Sequence, residues 1–152
     1  MNFRILGLPV DDFTHFFELS DLDLATVGGV RRTADGNYPC RVSLTDSQPG
    51  EELLLINYEH HPVDSPYRMR FAIFVREGDR TYDKVNEVPE QLRKRMLAVR
   101  SFDTNGMMVD NRLVDGQELE PVIEKLFTPS NVDYLHIHFA AAGCYAAKVE
   151  RA

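Results

Sequence analysis

The pattern of apolar and polar positions predicts short strands separated by turns and short helices. An apolar segment, 3–8, opens the chain, and strand-like runs follow at 38–45, 53–59 and 71–76. Within the second run, residues 53–56 are all apolar. Because successive side chains of a strand point to opposite faces, this run predicts a central strand covered on both sides.

Helical spacing predicts four helices. Aromatic residues at 13, 16 and 17 share one helical face, and Ser20 with Asp23 can cap a second helix that ends at Gly28. The segment 88–99 is typical of a helix with a proline in its first turn. The clearest helix lies between Asp115 and Pro129. We expect its apolar stripe to pack on the strands 53–59 and 71–76.

The end of the chain has the pattern of a β-hairpin, with arms at 133–140 and 144–150, and a short strand is predicted at 107–113. Helices and neighbouring strands in this order predict an α+β fold, in which a mainly antiparallel sheet has helices packed on it and a β-hairpin ends the chain. The length of 152 residues suits a single domain over 1–152.

Charge and composition exclude several classes of protein. The formal net charge is -7, and no long basic run is present, which argues against nucleic-acid and membrane-surface partners. No apolar run approaches the roughly 20 residues of a membrane span. Asp11 and Asp12 interrupt the N-terminus where a signal peptide would be apolar, so we expect a cytoplasmic protein with free thiols at Cys40 and Cys144. No nucleotide-binding loop is present, and we expect no cofactor.

Four separated segments resemble one known family. They are YPCRVSLTD, NYEHHPVDSPYRMRFAIFVREG, RSFDTNGMMVD and YLHIHFAAAGCYAAKVER. Together they are similar to a bacterial family catalogued as domain of unknown function 1203, and the resemblance covers nearly the whole chain. It implies a stand-alone bacterial domain and assigns no activity, cofactor or catalytic residue, so the chemistry must come from the residues.

The first hairpin arm carries two histidines on one face. His136 and His138 alternate with apolar residues, which would be buried on the other face. A three-residue loop, 141–143, with a left-handed glycine would pair Ala140 with Cys144, His138 with Ala146 and His136 with Lys148. We therefore predict that His136, His138, Cys144 and Lys148 cluster on one sheet face.

This cluster has three interpretations. Cys144 would be a nucleophile or redox-sensitive thiolate beside His138 and His136, since an imidazolium stabilises the anion. Alternatively, the two imidazoles would hold a divalent metal together with Glu59 or His60. In the third interpretation the histidines only make hydrogen bonds on a half-exposed face. The third interpretation has about as much support as the other two together; of those two we favour the first, and we expect no metal.

The loop NYEHHPVDSPYR suggests a binding site for an anionic small molecule. Arg68 in this loop and Arg41 on the preceding strand can make charge-assisted contacts, with His60 and Lys148 nearby. Ordinary turn formation and surface ion pairs would explain the same residues. Our leading hypothesis is a small-molecule-handling protein, an enzyme if its histidine, cysteine and arginine residues form one pocket. The alternatives are a non-catalytic binding or accessory domain and a histidine-based metal-binding domain.

Overall fold

The computed structural model describes residues 1–152 and contains two antiparallel sheets. The larger sheet has the strand order β5-β1-β9-β8-β6-β7, and the smaller has the order β2-β3-β4. The strands are β1 Phe3–Leu6, β2 Gly29–Thr33, β3 Glu52–His61, β4 Met69–Val75, β5 Asp83–Val85, β6 Met96–Phe102, β7 Met108–Asp115, β8 Tyr134–Phe139 and β9 Tyr145–Arg151. The predicted α+β fold, with mainly antiparallel sheets and a C-terminal hairpin formed by β8 and β9, is confirmed.

The helices are short. They are α1 Asp21–Thr26, α2 Glu90–Arg93 and α3 Leu119–Leu126, with single 3-10 turns at Val10–Asp12, Thr14–Glu18 and Gly116–Glu118. Ser20 caps α1 as predicted, because its hydroxyl accepts a hydrogen bond from the amide of Asp23. None of these helices has the length and apolar character needed to cross a membrane.

Two large apolar clusters and a small one, formed by Ala34, Cys40 and Leu53, make up the interior. The larger cluster joins α3 to the central strands of the six-stranded sheet and includes Ile123, Val99 and Ile137. The second large cluster includes Leu54 and Ile73 of the three-stranded sheet. The prediction that α3 packs on β3 and β4 is therefore wrong, because the apolar side chains of β6 and β8 occupy that position.

Other predicted elements also differ from the structure, mostly in segments whose structure depends on pairing with strands that are distant in the sequence. The segment 88–99 is not one helix, since α2 ends at Arg93 and β6 then pairs with both β7 and β8. The segment 38–45 makes only isolated bridges, and Leu44 has a positive φ of 53°. The aromatic segment 13–17 forms a 3-10 turn rather than an α-helix. The strand 53–59 is confirmed as central, because β3 lies between β2 and β4.

The hairpin register also differs from the prediction. His136 does pair with Lys148, but His138 pairs with Tyr145 instead of Ala146. The amide of Phe139 donates to the carbonyl of Cys144, which leaves a four-residue loop. A bulge at residue 146 absorbs the extra residue and restores the predicted register further along the strands.

Candidate functional site

Four histidines gather where the two sheets meet. His60 and His61 are the last residues of β3, and His136 and His138 come from β8 of the other sheet. The ring centroids of His60 and His138 are 5.4 Å apart, and those of His61 and His136 are 4.9 Å apart. Tyr145 of β9 stacks on His60 at 4.8 Å. We call His60, His61, His136 and His138 the histidine cluster.

Hydrogen bonds fix the protonated nitrogen of two of these rings. Nδ1 of His61 lies 2.8 Å from the carbonyl oxygen of Tyr67, and Nδ1 of His138 lies 3.0 Å from that of Gly143. Because a carbonyl only accepts, both Nδ1 atoms carry the proton. The hydroxyl of Tyr134 donates to Nε2 of His61 over 2.6 Å. In its neutral form, His138 therefore has a lone pair on Nε2.

Other ring nitrogens of the cluster have no hydrogen-bond partner. Both nitrogens of His60 and Nδ1 of His136 are buried and unpaired within the protein. A buried polar atom without a partner costs about 1 to 3 kcal/mol, so such atoms are rare in folded proteins. These nitrogens are therefore free to form hydrogen bonds to a bound molecule or to water.

Burial keeps the cluster neutral near pH 7. It lowers the pKa of His60 to about 4 and that of His138 to about 3, and it holds the pKa of His136 well below its ordinary value. Neighbouring histidines and, for His60 and His138, the positive charge of Arg100 lower these pKa values further. The cluster thus supplies uncharged imidazoles rather than imidazolium ions.

A cavity of about 170 Å³ borders the histidine cluster and contains no acidic side chain in its lining. We call it the histidine cavity; its lining is formed by His60, His61, Pro66, Tyr67, Arg68, Met69, Arg100, Phe102, Met108, His136 and His138. Arg68 forms an ion pair with Glu59. Arg100 pairs with His136 across β6 and β8, so both side chains lie on one sheet face. The histidine cavity is thus lined by two guanidinium groups and four imidazoles.

Arg100 has no carboxylate partner. Its guanidinium Nη1 contacts only the sulfur of Met69, at 3.6 Å, and burial alone lowers the pKa of Arg100. A partly buried positive charge without a counter-ion is unfavourable. The histidine cavity therefore has the electrostatic character of an anion site.

Lys148 lies beside a different cavity. This one has a volume of about 460 Å³ and shares His60, His61 and His136 with the histidine cavity. The ammonium of Lys148 forms an ion pair of 2.6 Å with Glu150 and sits 5.1 Å from the ring centroid of Tyr134. The predicted proximity of Lys148 to His136 is present, but the charge of Lys148 is already compensated.

Cys144 and Arg41 lie away from the histidine cluster. Because His138 pairs with Tyr145 and Phe139 with Cys144, the sulfur of Cys144 and the imidazole of His138 project from opposite faces of the hairpin. The predicted cluster that joined Cys144 to His138 and His136 is therefore wrong. The bulge is the physical reason, since it shifts Tyr145 into the position expected for Ala146. Arg41 is buried and donates to Cys144 instead.

Sequence reasoning gave no site role to Arg100 or His61. Arg100 lies in the segment RSFDTNGMMVD, whose Asn-Gly pair indicates a hairpin turn and no catalytic role. Leu97 and Val99 alternate with less buried residues, as a strand that extends to Arg100 requires. His61 was noted only as part of the loop, but it extends β3 and contacts Tyr134. The alternation around Val99 is the signal that would have revealed Arg100.

The last feature of the site is the arrangement of its possible metal ligands. No group of three or more histidine, cysteine, aspartate or glutamate side chains is positioned to hold a metal ion. The histidine cluster presents unpaired imidazole nitrogens, and Arg100 lines the same cavity.

Comparison with known proteins gives a family and no further relative. The family model described as "Protein of unknown function (DUF1203)" matches residues 37–151, which include both cavities' histidines, Arg100 and Cys144. No curated protein and no solved structure matches the chain. The matched region covers most of the sequence, and the chain belongs to the DUF1203 family.

Proposed function

We propose that this protein binds a small molecule bearing a carboxylate or phosphate group, with that group held in the histidine cavity. The observation that carries the proposal is Arg100, a partly buried guanidinium that faces the cavity without a carboxylate partner. An oxyanion would supply the missing counter-charge and accept up to two parallel hydrogen bonds from the guanidinium.

The unpaired imidazoles support the same ligand. A neutral imidazole carries one N–H donor, and the buried nitrogens of His60 and His136 lack protein partners. If these rings donated hydrogen bonds to the oxyanion, some of their unpaired nitrogens would gain a partner. Arg68 contributes a second positive group at the more exposed side of the histidine cavity, although Glu59 offsets its charge. The volume of about 170 Å³ fits a head group rather than a large ligand.

Binding is favoured over acid-base catalysis. His138 has the orientation of a general base, because Gly143 holds its Nδ1 proton and leaves Nε2 as the acceptor. However, a pKa of about 3 makes this ring a weak base at neutral pH, where catalysis works best with a pKa near 7. We therefore assign His138 a binding role.

The cellular setting is part of the proposal. Both cysteines are free, which favours a reducing compartment, and we propose the cytoplasm. The net charge of -7 favours a small anion held in a local cationic pocket over a polyanionic partner such as nucleic acid or a membrane surface.

Titration followed by NMR tests the anion site. Inorganic phosphate and acetate would each be added in chloride buffer at constant ionic strength, with methyl acetate as the uncharged control. We expect saturable shifts of the Arg100 Nε–H signal and of the His60 and His136 rings with at least one anion, and none with methyl acetate. The Arg100→Gln variant should bind roughly 10- to 100-fold more weakly, the value of one charge-assisted hydrogen bond.

Arg112→Gln is the matched control. Arg112 lies on the neighbouring strand β7, pairs with Asp110 and does not line the histidine cavity. Its substitution should leave the affinity for the anion unchanged. Equal affinities of the Arg100→Gln and unmodified proteins, or saturation by neither anion, would refute the proposed site.

A further inference from the structure

A second candidate site lies on the opposite face of the hairpin and involves Cys144 and Arg41. Arg41 is only 2% exposed, and its guanidinium donates to Sγ of Cys144 over 3.0 Å and to the carbonyl of Tyr145 over 2.8 Å. A third contact reaches the carbonyl of Pro39. Because a guanidinium only donates, the sulfur is the acceptor in this contact.

The charge of Arg41 has no carboxylate counter-ion. None of the salt bridges in the protein includes Arg41, and burial lowers its pKa. Asp46, the carboxylate of this region, is already paired with Lys94 and Arg95 at 3.0 and 2.9 Å. A buried cation is tolerated when an anion compensates it. The sulfur of Cys144 is the only ionisable acceptor that Arg41 contacts, so its ionised form would compensate this charge.

The sulfur is also next to a cavity. This cavity has a volume of about 350 Å³ and lies away from the histidine cavity. Cys144 and Arg41 line one part of it, and Phe74, Met96 and Phe139 give it an apolar character. The guanidinium of Arg95 lies 5.2 Å from the ring centroid of Phe139, on which Arg41 also packs at 5.0 Å. A nucleophilic atom, a cation and an apolar space are thus combined.

The other cysteine has none of these features. Cys40 is fully buried, its sulfur lies 3.9 Å from the carbonyl of Tyr38, and it does not line this cavity. Burial raises the pKa of Cys40 to about 12, which keeps it protonated and unreactive. The protein therefore contains its own control thiol.

We propose that Cys144 is a reactive nucleophile, paired with Arg41, whose cavity accepts apolar α,β-unsaturated carbonyl compounds. The sulfur anion forms a C–S bond with the β-carbon, and the electron pair of the C=C bond moves towards the carbonyl oxygen. Water then protonates the α-carbon and leaves hydroxide, so no oxidant or reductant is needed. The guanidinium of Arg41, which lines the cavity, would stabilise the negative oxygen of the intermediate.

This reaction is independent of the oxyanion site, because the two cavities share no lining residue. The apolar lining also predicts a preference among electrophiles. A long-chain enal such as 2-nonenal would bury its alkyl chain against Phe74, Met96 and Phe139, whereas acrolein has no chain to bury. Cys144 should therefore favour 2-nonenal over acrolein more strongly than a free thiol does.

Mass spectrometry with peptide mapping tests the proposal on the full chain. At pH 7 we expect one 2-nonenal adduct, on Cys144, forming about 10-fold faster than the adduct of N-acetylcysteine, because Arg41 contacts the sulfur and the cavity holds the alkyl chain beside it. Cys144→Ser should abolish the adduct, and Cys40→Ser should leave its rate unchanged. Arg41→Met should slow the reaction by about 10-fold or more.

A second measurement covers the case in which Arg41→Met does not fold. The ratio of the 2-nonenal rate to the acrolein rate should be higher for the unmodified protein than for N-acetylcysteine, because only the protein can bury the alkyl chain. Equal ratios for the protein and N-acetylcysteine would overturn the proposal. So would a folded Arg41→Met variant of full reactivity.

Discussion

The buried histidines predict that mild acid destabilises this protein. His136 and His138 are 4% and 1% exposed, and burial lowers the pKa of His138 to about 3 while holding that of His136 well below its ordinary value. In the unfolded chain both imidazoles regain a pKa of about 6.5. At pH values between the folded and the unfolded pKa, the imidazoles bind protons in the unfolded state but not in the folded state.

The sign and the size of the effect follow from this difference. Above about pH 6.5 both states are neutral, and the histidines add no pH dependence. As the pH falls below 6.5, the unfolded chain is stabilised by protonation, so the free energy of unfolding decreases until the folded pKa values are reached. Between pH 7.5 and 5.0 each such histidine costs about 2 kcal/mol, and His136 and His138 together cost about 4 kcal/mol. This is a large fraction of the roughly 5 to 15 kcal/mol that stabilises a domain.

Urea unfolding at pH 7.5 and 5.0, followed by circular dichroism at constant ionic strength, measures this difference. His138→Asn removes one titrating ring and retains a donor near the Gly143 carbonyl, so the loss between the two pH values should shrink by about 2 kcal/mol. His15 is exposed, and His15→Asn should leave the loss unchanged. Carboxyl groups titrate mainly below this range.

The comparison between variants decides the outcome. His138→Asn is expected to lower the free energy of unfolding at pH 7.5 as well, because it disturbs a packed site, so only the difference between the two pH values is informative. If His138→Asn and the unmodified protein lose the same free energy between pH 7.5 and 5.0, His138 is not held neutral by burial and the electrostatic account of the cluster is wrong.

Three further predictions concern stability and use the urea midpoint at pH 7.5. Ile123→Ala should cost roughly 2 to 5 kcal/mol, because Ile123 is fully buried in the larger apolar cluster; an unchanged midpoint would contradict this packing. Gly116→Ala should cost about 1 to 3 kcal/mol, since the added Cβ would lie 1.9 Å from the carbonyl oxygen of Leu92. A variant as stable as the unmodified protein would show that the two segments do not approach so closely. Tyr134→Phe should cost about 1 to 3 kcal/mol by leaving Nε2 of His61 without its donor, whereas a neutral effect would show that the bond contributes little.

Local sequence patterns predicted the structure correctly where a segment's own residues determine it. Ser20 and Asp23 form the predicted cap of α1, and the apolar run 53–56, of which three residues are buried, lies in the central strand β3. The spacing around Ile123 correctly predicted α3. In each case the hydrogen bond or apolar stripe lies within a few residues of chain, so the sequence contains the whole signal.

Local patterns failed where another part of the chain supplies the partner. The segment 88–99 has helical spacing, but its second half becomes β6 because both β7 and β8 offer it backbone hydrogen bonds. Segment 38–45 has strand-like residues but no ladder beyond isolated bridges. β-Structure depends on distant pairing more than helices do, and pairing is not visible in local spacing.

The amino-acid sequence by itself determined the α+β class, the C-terminal hairpin and the polar face that carries His136 and His138. Only the tertiary structure decided how these groups combine. One bulge residue in the hairpin places Cys144 and His138 on opposite faces, and the pairing of β6 with β8 brings Arg100 beside His136. A register shift of one residue reverses the side to which every later side chain points, so a site built across strands depends on backbone pairing that side-chain patterns do not record.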